Sequence, residues 1–267
     1  MRSLIEEIET IIDKTRGTWG IVLKDLITKN IWTINPHKQF YSASIVKLPI
    51  MATLFQAYEQ GKISSLEKSL LIKESDLVGG AGVLQHMTPN IKLPLYDIMT
   101  LMIIQSDNTA TNMIIDLIGI EEIQNLMKDI GMENSTCYNK LMISSPSSSG
   151  PNLTTAMDNA LFLEKLYKGE IVSKTASKRM LDIMKKQQIR NCLPNYLPYQ
   201  QIRSDEYMPR WELAHKTGWV PGLRHDVGIF YVERKPFIVS VFSKDVEDVQ
   251  SEQAIAKIGE AVYTYLG

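Results

Sequence analysis

The segment that decides the fold is Phe40-Tyr41-Ser42-Ala43-Ser44-Ile45-Val46-Lys47-Leu48-Pro49-Ile50. Apolar residues recur from Ile45 onward at helical spacing, and this pattern predicts a mostly buried helix with Ser44 in its first turn. Lys47 falls one turn after Ser44 on the same side of that helix. Because apolar surroundings weaken the preference of a lysine for its charged form, the pair offers a nucleophilic hydroxyl beside a candidate base. Backbone N–H groups at the start of a helix also favour an oxyanion.

Taken alone, the Ser44 and Lys47 pair also has an ordinary structural interpretation. Serine is a common N-cap, and a lysine in the first turn of a helix can extend its amine to water. The same spacing occurs in Ser65-Leu66-Glu67-Lys68, which lies in a polar stretch and which we interpret as chance. Further motifs are therefore needed before the pair can be assigned to catalysis.

Composition and charge place the chain among ordinary globular proteins. Its 267 residues are 44% hydrophobic and 22% charged, enough for one large domain or two intimate lobes with a sizeable core. The formal net charge of -1 provides no broad basic field, so we expect no nucleic-acid partner. No apolar run approaches the length of a membrane span, so we expect no membrane association. We also expect a monomer.

The N-terminal residues and the cysteines bear on the compartment. Residues 1–8 carry acidic side chains at helical spacing and lack the basic start and apolar block of a secretory signal. We therefore expect a cytoplasmic protein, or an exported one if the sequence was trimmed. Cys137 and Cys192 fit a reducing compartment, although a disulfide between them stays open at this stage. The cysteines and the four histidines show no metal-ligand spacing, so we expect no metal and no cofactor.

The order of predicted elements indicates an α+β fold. Strands are predicted near both ends of the chain, and a helical block lies between them. The simplest architecture is an antiparallel five-stranded sheet flanked by the terminal helices, with a helical lobe inserted at its edge. Residues 1–42 and 212–267 would form the α/β lobe, residues 43–211 the mainly helical lobe, and the active site would lie in the cleft between them. The predicted strands are Trp19–Leu26, Ile31–Ile34, Glu212–Gly218, Asp226–Val232 and Phe237–Ser243.

Several segments between these elements are predicted to be loops. Gly79-Gly80-Ala81-Gly82 is interpreted as a flexible turn and not as a phosphate loop, because no Lys-Ser/Thr follows it. Residues 134–152 form a long loop, and residues 144–151 are its most flexible part; a loop of this length in a compact domain is often functional. Residues 191–209 remain unassigned.

Three short motifs follow one another along the chain: Ser44-x-x-Lys47, Ser106-Asp107-Asn108 and Lys216-Thr217-Gly218. Each is weak alone, but their order and spacing together are specific. The trio resembles the penicillin-recognising serine hydrolases, and its spacing is similar to that of the class A β-lactamases. The resemblance implies a β-lactamase/transpeptidase-like fold and extends over nearly the whole chain. It includes Thr154-Thr155-Ala156-Met157, Lys168-Gly169-Glu170, Ala214 to Gly218 and Arg224-His225-Asp226-Val227-Gly228.

The resemblance implies four catalytic residues and a small-molecule β-lactam or related substrate. Ser44 would attack a strained amide carbonyl and form an acyl-enzyme, with Lys47 as the candidate base. Ser106 would relay a proton to the leaving nitrogen, and Lys216 would add a second cation that favours this transfer. The chain would then be a serine hydrolase acting on a cyclic amide, with roles in β-lactam catabolism and the response to antibiotics.

Four further residues are implied to bind the substrate. Asn108 would hydrogen-bond both Lys47 and the side-chain amide of the substrate. Thr217, with Lys216, would meet the substrate carboxylate. The backbone N–H groups of Ser44 and Trp219 would form the oxyanion hole. Gly218 has no side chain to obstruct the approach of substrate to the strand.

The chain departs from the class A pattern at one position. Class A β-lactamases carry, in the loop between the second and third motifs, a glutamate that positions the hydrolytic water. No Asp or Glu occurs from Asn134 through Met157, and Asn139, near the expected position, is an amide and not a base. Acylation is therefore expected to proceed while deacylation is slow, since loss of a general base typically slows a step by roughly 10²–10⁴-fold.

Two other functions are consistent with the same motifs. One is a peptidase or esterase of the penicillin-binding type, against which the absence of a signal sequence counts. The other is a covalent β-lactam receptor that is acylated once and keeps the adduct, which the absent glutamate favours. A Ser-His-Asp hydrolase fits poorly, because no Gly-x-Ser-x-Gly elbow occurs and no histidine lies near a candidate serine in sequence.

Overall fold

Two strands from the N-terminal end of the chain pair with three from the C-terminal end. The computed structural model describes residues 1–142, 147–198 and 210–267. The five strands are ordered β2-β1-β9-β8-β7, and every neighbouring pair is antiparallel. The α+β fold with a five-stranded antiparallel sheet is thus confirmed. The strands are β1 (Thr18–Asp25), β2 (Ile31–Ile34), β7 (Trp211–Val220), β8 (Leu223–Val232) and β9 (Lys235–Lys244).

One face of the sheet is covered by the two terminal helices, α1 (Arg2–Asp13) and α8 (Asp248–Leu266). Alternate residues of a strand point to opposite faces. Leu213 of β7 therefore packs toward the terminal helices, whereas its neighbour Ala214 packs toward the rest of the chain. The apolar stripe of α1 fills the same layer through Leu4 and Ile8, as its helical spacing predicts.

The other face of the sheet supports the helical part of the chain. Its interior is rich in methionine, and four of these side chains are fully buried there: Met51, Met99, Met102 and Met180. Methionine fills gaps between helices, so these residues belong to the core. The helices are α2 (Lys47–Glu59), α3 (Leu95–Ile104), α4 (Asn108–Ile118), α5 (Ile120–Asp129), α6 (Ala156–Lys168) and α7 (Lys174–Met184).

Two small sheets, which the sequence pattern did not reveal, complete the described part of the chain. β3 (Phe40–Tyr41) pairs with β6 (Leu153–Thr154), and β4 (Ser69–Ile72) pairs with β5 (Ile91–Pro94). With two to four residues each, these strands are too short to show a period in the sequence. The β3–β6 pair matters most, because it joins the segment before Ser44 to the end of the long loop.

Four details differ from the sequence-based expectations or complete them. Ser44 lies in a 3₁₀ turn, Ala43–Val46, and α2 begins only at Lys47. Thr155 caps α6 by accepting a hydrogen bond from the Asp158 N–H, and Thr154, directly before it, is the last residue of β6. Cys137 and Cys192 are both buried and free, so no disulfide joins them. Of the segments interpreted as the flexible loop and as unassigned, residues 144–146 and 199–209 lie outside the described residues.

Among the described helices, none is both long and apolar enough to cross a bilayer. Within the same residues, no three side chains of His, Cys, Asp or Glu are grouped as metal ligands would be.

A buried histidine ties the main sheet to the strand that precedes Ser44. His225 of β8 places Nε2 3.0 Å from the Tyr41 carbonyl oxygen, and its ring lies 4.5 Å from that of Phe242. Burial lowers the pKa of His225 to about 4, against the opposing effect of the Tyr41 hydrogen bond. The Nδ1 atom has no hydrogen-bond partner among the described residues. The folded protein therefore holds this side chain neutral.

We predict that His225 makes the folded state less stable in acid. The unfolded chain binds a proton on this ring near pH 6.5 and the folded chain only near pH 4, so stability is complete above about 6.5 and falls as the pH drops toward 4. The full loss is on the order of 3 kcal/mol. Denaturant unfolding between pH 7 and 4 should show a shallower decline for His225→Gln than for the wild type. His37→Gln, at an exposed histidine, is the control; equal slopes in all three proteins would contradict the prediction.

Candidate active site

The backbone holds Ser44 from both sides. Ala43, which precedes it, has a positive φ of 44°, a conformation that costs energy for a residue with a Cβ. Ser42 donates its N–H to the Asn152 carbonyl, and the Tyr41 carbonyl is bound by His225. The Ser44 side chain is half-buried, and its hydroxyl has no hydrogen-bond partner among the residues that the structure describes. The hydroxyl is therefore available to a substrate.

The Lys47 amine is fully buried and is surrounded by oxygen acceptors. Its Nζ lies 2.5 Å from the Ser106 carbonyl oxygen, 3.1 Å from Ser106 Oγ and 2.9 Å from Asn108 Oδ1. Burial, and then the nearby charge of Lys216, hold the pKa of Lys47 well below its usual range, against the opposing effect of Asp107. An amine in this state can accept a proton.

Ser106 is the meeting point of two lysines. Its Oγ lies 3.1 Å from Lys47 Nζ and 3.0 Å from Lys216 Nζ. The backbone φ of Ser106 is 54°, so Ser106, like Ala43, has a strained backbone conformation. Strained residues of this kind cluster at functional sites. The hydroxyl can accept from one amine and donate to the other if that amine is neutral, so the trio can pass a proton.

The Lys216 amine approaches Ser106 from the sheet. It is fully buried, and it also donates to the Thr217 carbonyl at 2.8 Å. Burial lowers the pKa of Lys216 to about 7, although the carboxylate of Asp226 opposes this effect. Two amines that share one hydroxyl in a buried site disfavour each other's charge, so the site tends to hold fewer than two positive charges.

Asp107, the middle residue of the second motif, stabilises the backbone around the site. Its carboxylate forms no hydrogen bond with the amine of Lys47 or Lys216. Its carboxylate accepts from the N–H groups of Val83, Leu84 and Ala110, at 2.7, 2.8 and 2.9 Å respectively. It therefore caps α4 and fastens the preceding loop. A Cβ on Gly82 would lie 2.3 Å from this carboxylate, so only glycine fits there.

The turn at residues 79–82 packs against Asn108 and forms hydrogen bonds with it. The Asn108 amide donates to the Gly79 carbonyl at 3.1 Å while its Oδ1 accepts from Lys47. The Asn108 N–H donates to the Ala81 carbonyl, and a Cβ on Gly80 would lie 2.6 Å from Asn108 Nδ2. The sequence-based interpretation of a flexible turn omitted this role: the turn orients the amide that contacts Lys47.

The third motif lies on the free edge of the main sheet, since β7 is the last strand. The backbone N–H and C=O groups of every second residue, 215, 217 and 219, point to that edge. There the His215 carbonyl accepts a hydrogen bond from Gln187, and the Thr217 carbonyl accepts one from Lys216. By the same alternation the Trp219 N–H lies on the free edge. The Trp219 ring is exposed and lies beneath the Arg224 guanidinium, at 5.6 Å.

Gly218 allows contact between β7 and the turn that carries Ser44. A Cβ built on it would lie 3.0 Å from Ile45 Cγ1 and 3.4 Å from Ala43 Cβ. The sequence-based reason for this glycine was access for substrate, whereas the structure shows protein atoms packed against it. A larger residue would push the edge strand away from the turn that holds the nucleophile.

Amides hold together the loop that lacks a carboxylate. The Asn139 side chain accepts from the Ser147 N–H and donates to the Gly150 carbonyl, so both of its polar atoms bind the loop backbone. Asn152 accepts from the N–H groups of Tyr138 and Asn139 and donates to the Asn139 carbonyl. Asn139 is therefore a structural residue of the loop. Within the described ranges, no carboxylate forms a hydrogen bond with Lys47 or Ser44.

A further asparagine, which the sequence analysis missed, attaches this loop to α4. Asn112 accepts from the Leu141 N–H at 2.8 Å and donates to the Leu141 carbonyl at 2.9 Å. It lies four residues after Asn108, on the same side of α4. That spacing was the only signal in the sequence. Leu141 is thereby the loop residue fixed to the helix that carries Asn108.

The structure thus brings Lys47, Ser106, Asn108 and Lys216 into direct hydrogen-bond contact, and it places Gly218 against the turn of Ser44. The profile of the beta-lactamase enzyme family matches residues 3–266. The chain belongs to this family. Family membership makes the protein a β-lactamase-like serine hydrolase, an enzyme of the kind that acts on the cyclic amide of β-lactams.

Known members of the beta-lactamase family resemble the chain over its whole length. Beta-lactamase AER-1 of Aeromonas hydrophila is 25% identical over 263 residues, which cover 96% of this chain and 83% of that protein. The structure of a beta-lactamase from Sphaerobacter thermophilus superposes with a TM-score of 0.89 at 27% identity, covering 100% and 97% of the two chains.

A penicillin-binding protein is similar as well. The structure of PBP-A superposes with a TM-score of 0.84 at 28% identity, and the match covers 99% of this chain and 96% of that one. A leucine-to-glutamate variant of PBP-A, solved as an acyl-enzyme complex with penicillin G, gives the same TM-score at 27% identity and the same coverage.

We predict that the reaction of substrate with the free enzyme declines above about pH 7. Below this pH Lys216 is charged and can meet an anionic substrate, and above it the amine loses its proton. Lys216→Arg keeps its charge at all accessible pH values. The rate constant for acylation at low substrate concentration should therefore lose its alkaline decline in this variant, even if its maximum is lower. A decline near pH 7 that persists in Lys216→Arg would contradict the assignment.

Proposed function

We propose that the protein is a class A-type serine hydrolase that forms an acyl-enzyme on Ser44 with a β-lactam or a related amide or ester. The observation that carries this proposal is the Ser106 hydroxyl within hydrogen-bond distance of both Lys47 and Lys216. Such an arrangement supplies a base for attack and an acid for departure of the leaving group from one connected set of groups.

In the acylation step, Ser44 Oγ attacks the carbonyl carbon while neutral Lys47 accepts its proton. Burial favours the neutral amine. The carbonyl oxygen becomes an oxyanion, which the N–H groups of Ser44 and Trp219 would stabilise. Support for this pairing comes from the position of Ser44 at the start of a 3₁₀ turn and of Trp219 on the free edge of β7.

Collapse of the intermediate then breaks the carbon–nitrogen bond. The nitrogen takes a proton from the Ser106 hydroxyl, which recovers one from Lys47 or Lys216. The charged amine of Lys216 and the Thr217 hydroxyl would bind the substrate carboxylate, and the Asn108 amide would meet its side-chain amide. For a β-lactam, the product of this step is the ester on Ser44, whose acyl group still carries the newly formed amine through the opened ring, so atoms and charge balance.

Deacylation is proposed to be slow. A hydrolytic water needs a base beside it, and among the described residues no carboxylate forms a hydrogen bond with Lys47 or Ser44. The penicillin-binding and receptor alternatives draw support from the same observation, because both end at a long-lived ester.

We also propose the division into an α/β lobe of residues 1–42 and 212–267 and a mainly helical lobe of residues 43–211. Lys47 and Ser106 come from the second part and Lys216 from the first, and their contact supports a site between the two parts. One chain supplies all of these groups, which supports a monomer. The two buried free thiols are consistent with a cytoplasmic location.

Intact-protein mass after incubation with benzylpenicillin tests the nucleophile. The wild type should gain the mass of one penicillin, and Ser44→Ala should gain none while unfolding at the same temperature. Ser65→Ala is the matched control, because Ser65 has the same spacing to a lysine but only pairs with exposed Glu67. An adduct that persists in Ser44→Ala would exclude Ser44 as the nucleophile.

A carboxylate introduced at Leu141 should restore deacylation. Asn112 fixes the Leu141 backbone on α4, one turn from Asn108, which itself contacts Lys47. We expect Leu141→Glu to shorten the lifetime of the adduct by roughly 10²-fold or more, as a general base does. Leu141→Gln has the same shape without a base and should leave the lifetime long. Equal lifetimes in the two variants would show that this position cannot serve the water.

A further inference from the structure

We propose that Gln187 is a positioning residue that sets the contact between Ser106 and Lys216. Its side chain stands between the end of α3 and the edge strand β7. Its Nε2 donates to the Ile103 carbonyl at 3.0 Å and to the His215 carbonyl at 3.4 Å. Ile103 is three residues before Ser106, and His215 is directly before Lys216. One amide group therefore connects the two segments that end in the proton-relay pair.

The Gln187 amide is held rigidly in this place. Its side chain is buried, and its Oε1 accepts from the N–H groups of Gln188 and Ile189, both at 3.1 Å. The Gln188 N–H also donates to the Ile104 carbonyl, which ties the same turn to the last residue of α3. All the hydrogen-bonding atoms of the side chain are thus used, and none is left to rotate toward another partner.

The fold leaves the Ser106–Lys216 contact in need of such a link. β7 is the edge strand, so the His215 carbonyl has no neighbouring strand to bind. Ser106 follows the end of α3 in a strained backbone conformation, which surrounding contacts must maintain. With one nitrogen, Gln187 donates to the His215 carbonyl on β7 and to the Ile103 carbonyl near the end of α3. A shift of β7 or of α3 would therefore strain both hydrogen bonds.

Gln187 does not touch the hydroxyl or the amines, and its effect on the reaction would pass through their separation. Proton transfer requires donor and acceptor within hydrogen-bond distance, and a displacement of about 1 Å can cost about 10²-fold in rate. Lys216 lies 3.0 Å from Ser106 Oγ, near the middle of the useful range. Loss of the link would lengthen this distance while the rest of the sheet stays in place.

The test compares Gln187→Met and Gln187→Glu with Gln188→Met. Methionine keeps the length of the side chain but cannot donate, and a protonated glutamate can keep one of the two bonds. Gln188 is exposed and binds only the Lys186 carbonyl through its side chain, so its replacement is the matched control. We expect the acylation rate constant to fall roughly tenfold to hundredfold in Gln187→Met, less in Gln187→Glu, and not at all in the control.

A second readout follows the site without any reaction. The ¹³Cε resonance of Lys216, assigned by its absence in Lys216→Arg, reports the titration of the amine, whose charged neighbours are Lys47 and the carboxylate of Asp226. A moved amine should titrate at a different pH in Gln187→Met and at an unchanged pH in Gln188→Met. If Gln187→Met does not fold, Gln187→Glu carries both measurements.

The positioning role of Gln187 rests on the proposed acyl-enzyme chemistry only where it is tested by the acylation rate. The positioning role and the proposed function can therefore fail separately. A wild type that forms no adduct while the Lys216 titration still moves in Gln187→Met would overturn the function and keep the positioning role. Normal acylation and an unchanged Lys216 titration in folded Gln187 variants would overturn the positioning role. A drop in stability alone, with neither readout changed, would make Gln187 a structural residue and also overturn it.

Discussion

Two buried lysine amines share one serine hydroxyl, and this is the constraint on which the rest of the structure depends. Lys47 and Lys216 both lie within about 3.1 Å of Ser106 Oγ, in a place that water hardly reaches. Two full charges so close together in a buried site would repel strongly. Burial and this repulsion keep at least one amine ready to lose its proton near neutral pH. The site therefore contains an amine that can accept a proton, and within the described residues no carboxylate or histidine forms a hydrogen bond with Lys47 or Ser44.

Holding three such groups together requires parts of the chain that are far apart. Lys47 is in the first turn of α2, Ser106 follows α3, and Lys216 is on the edge strand. Small residues permit the contacts: Gly82 fits over the carboxylate of Asp107, and Gly218 lies against Ala43 and Ile45. Buried amides then fix the distances, since Asn112 holds the loop and Gln187 joins α3 to β7. An amide can donate and accept at once, so it links two backbone segments without adding charge to a site that already has two cations.

The same use of amides explains how the long loop keeps its shape without acidic residues. Asn139 and Asn152 join the two arms of the loop through hydrogen bonds to the backbone, and an amide oxygen is not a base for a water nucleophile. Within the described part of the loop, these amides fix the backbone without a carboxylate. In the proposed reaction, such a loop would leave the ester on Ser44 without a base to activate water.

Several features of this protein were determined by its sequence alone. The five strands at the two ends of the chain, the terminal helices and the buried methionine stripes follow from local periodicity, which any short window of residues shows. The three motifs contain Lys47, Ser106 and Lys216, which the structure brings into hydrogen-bond contact. The missing glutamate was also visible, since the composition of a segment does not depend on how it folds.

The tertiary structure alone decided the remaining features. The short strands β3 to β6 have no period of their own and exist only through their partners. Four further features depend on residues that are distant in sequence: the 3₁₀ turn at Ser44, the hydrogen bonds of Asn139 within the loop, the packing against Gly218, and the link that Gln187 makes between α3 and β7. Periodicity reports which face of an element is buried, but it carries no information about what lies opposite. Distances between groups that meet from different elements are set by packing, and packing is known only when the whole chain is folded.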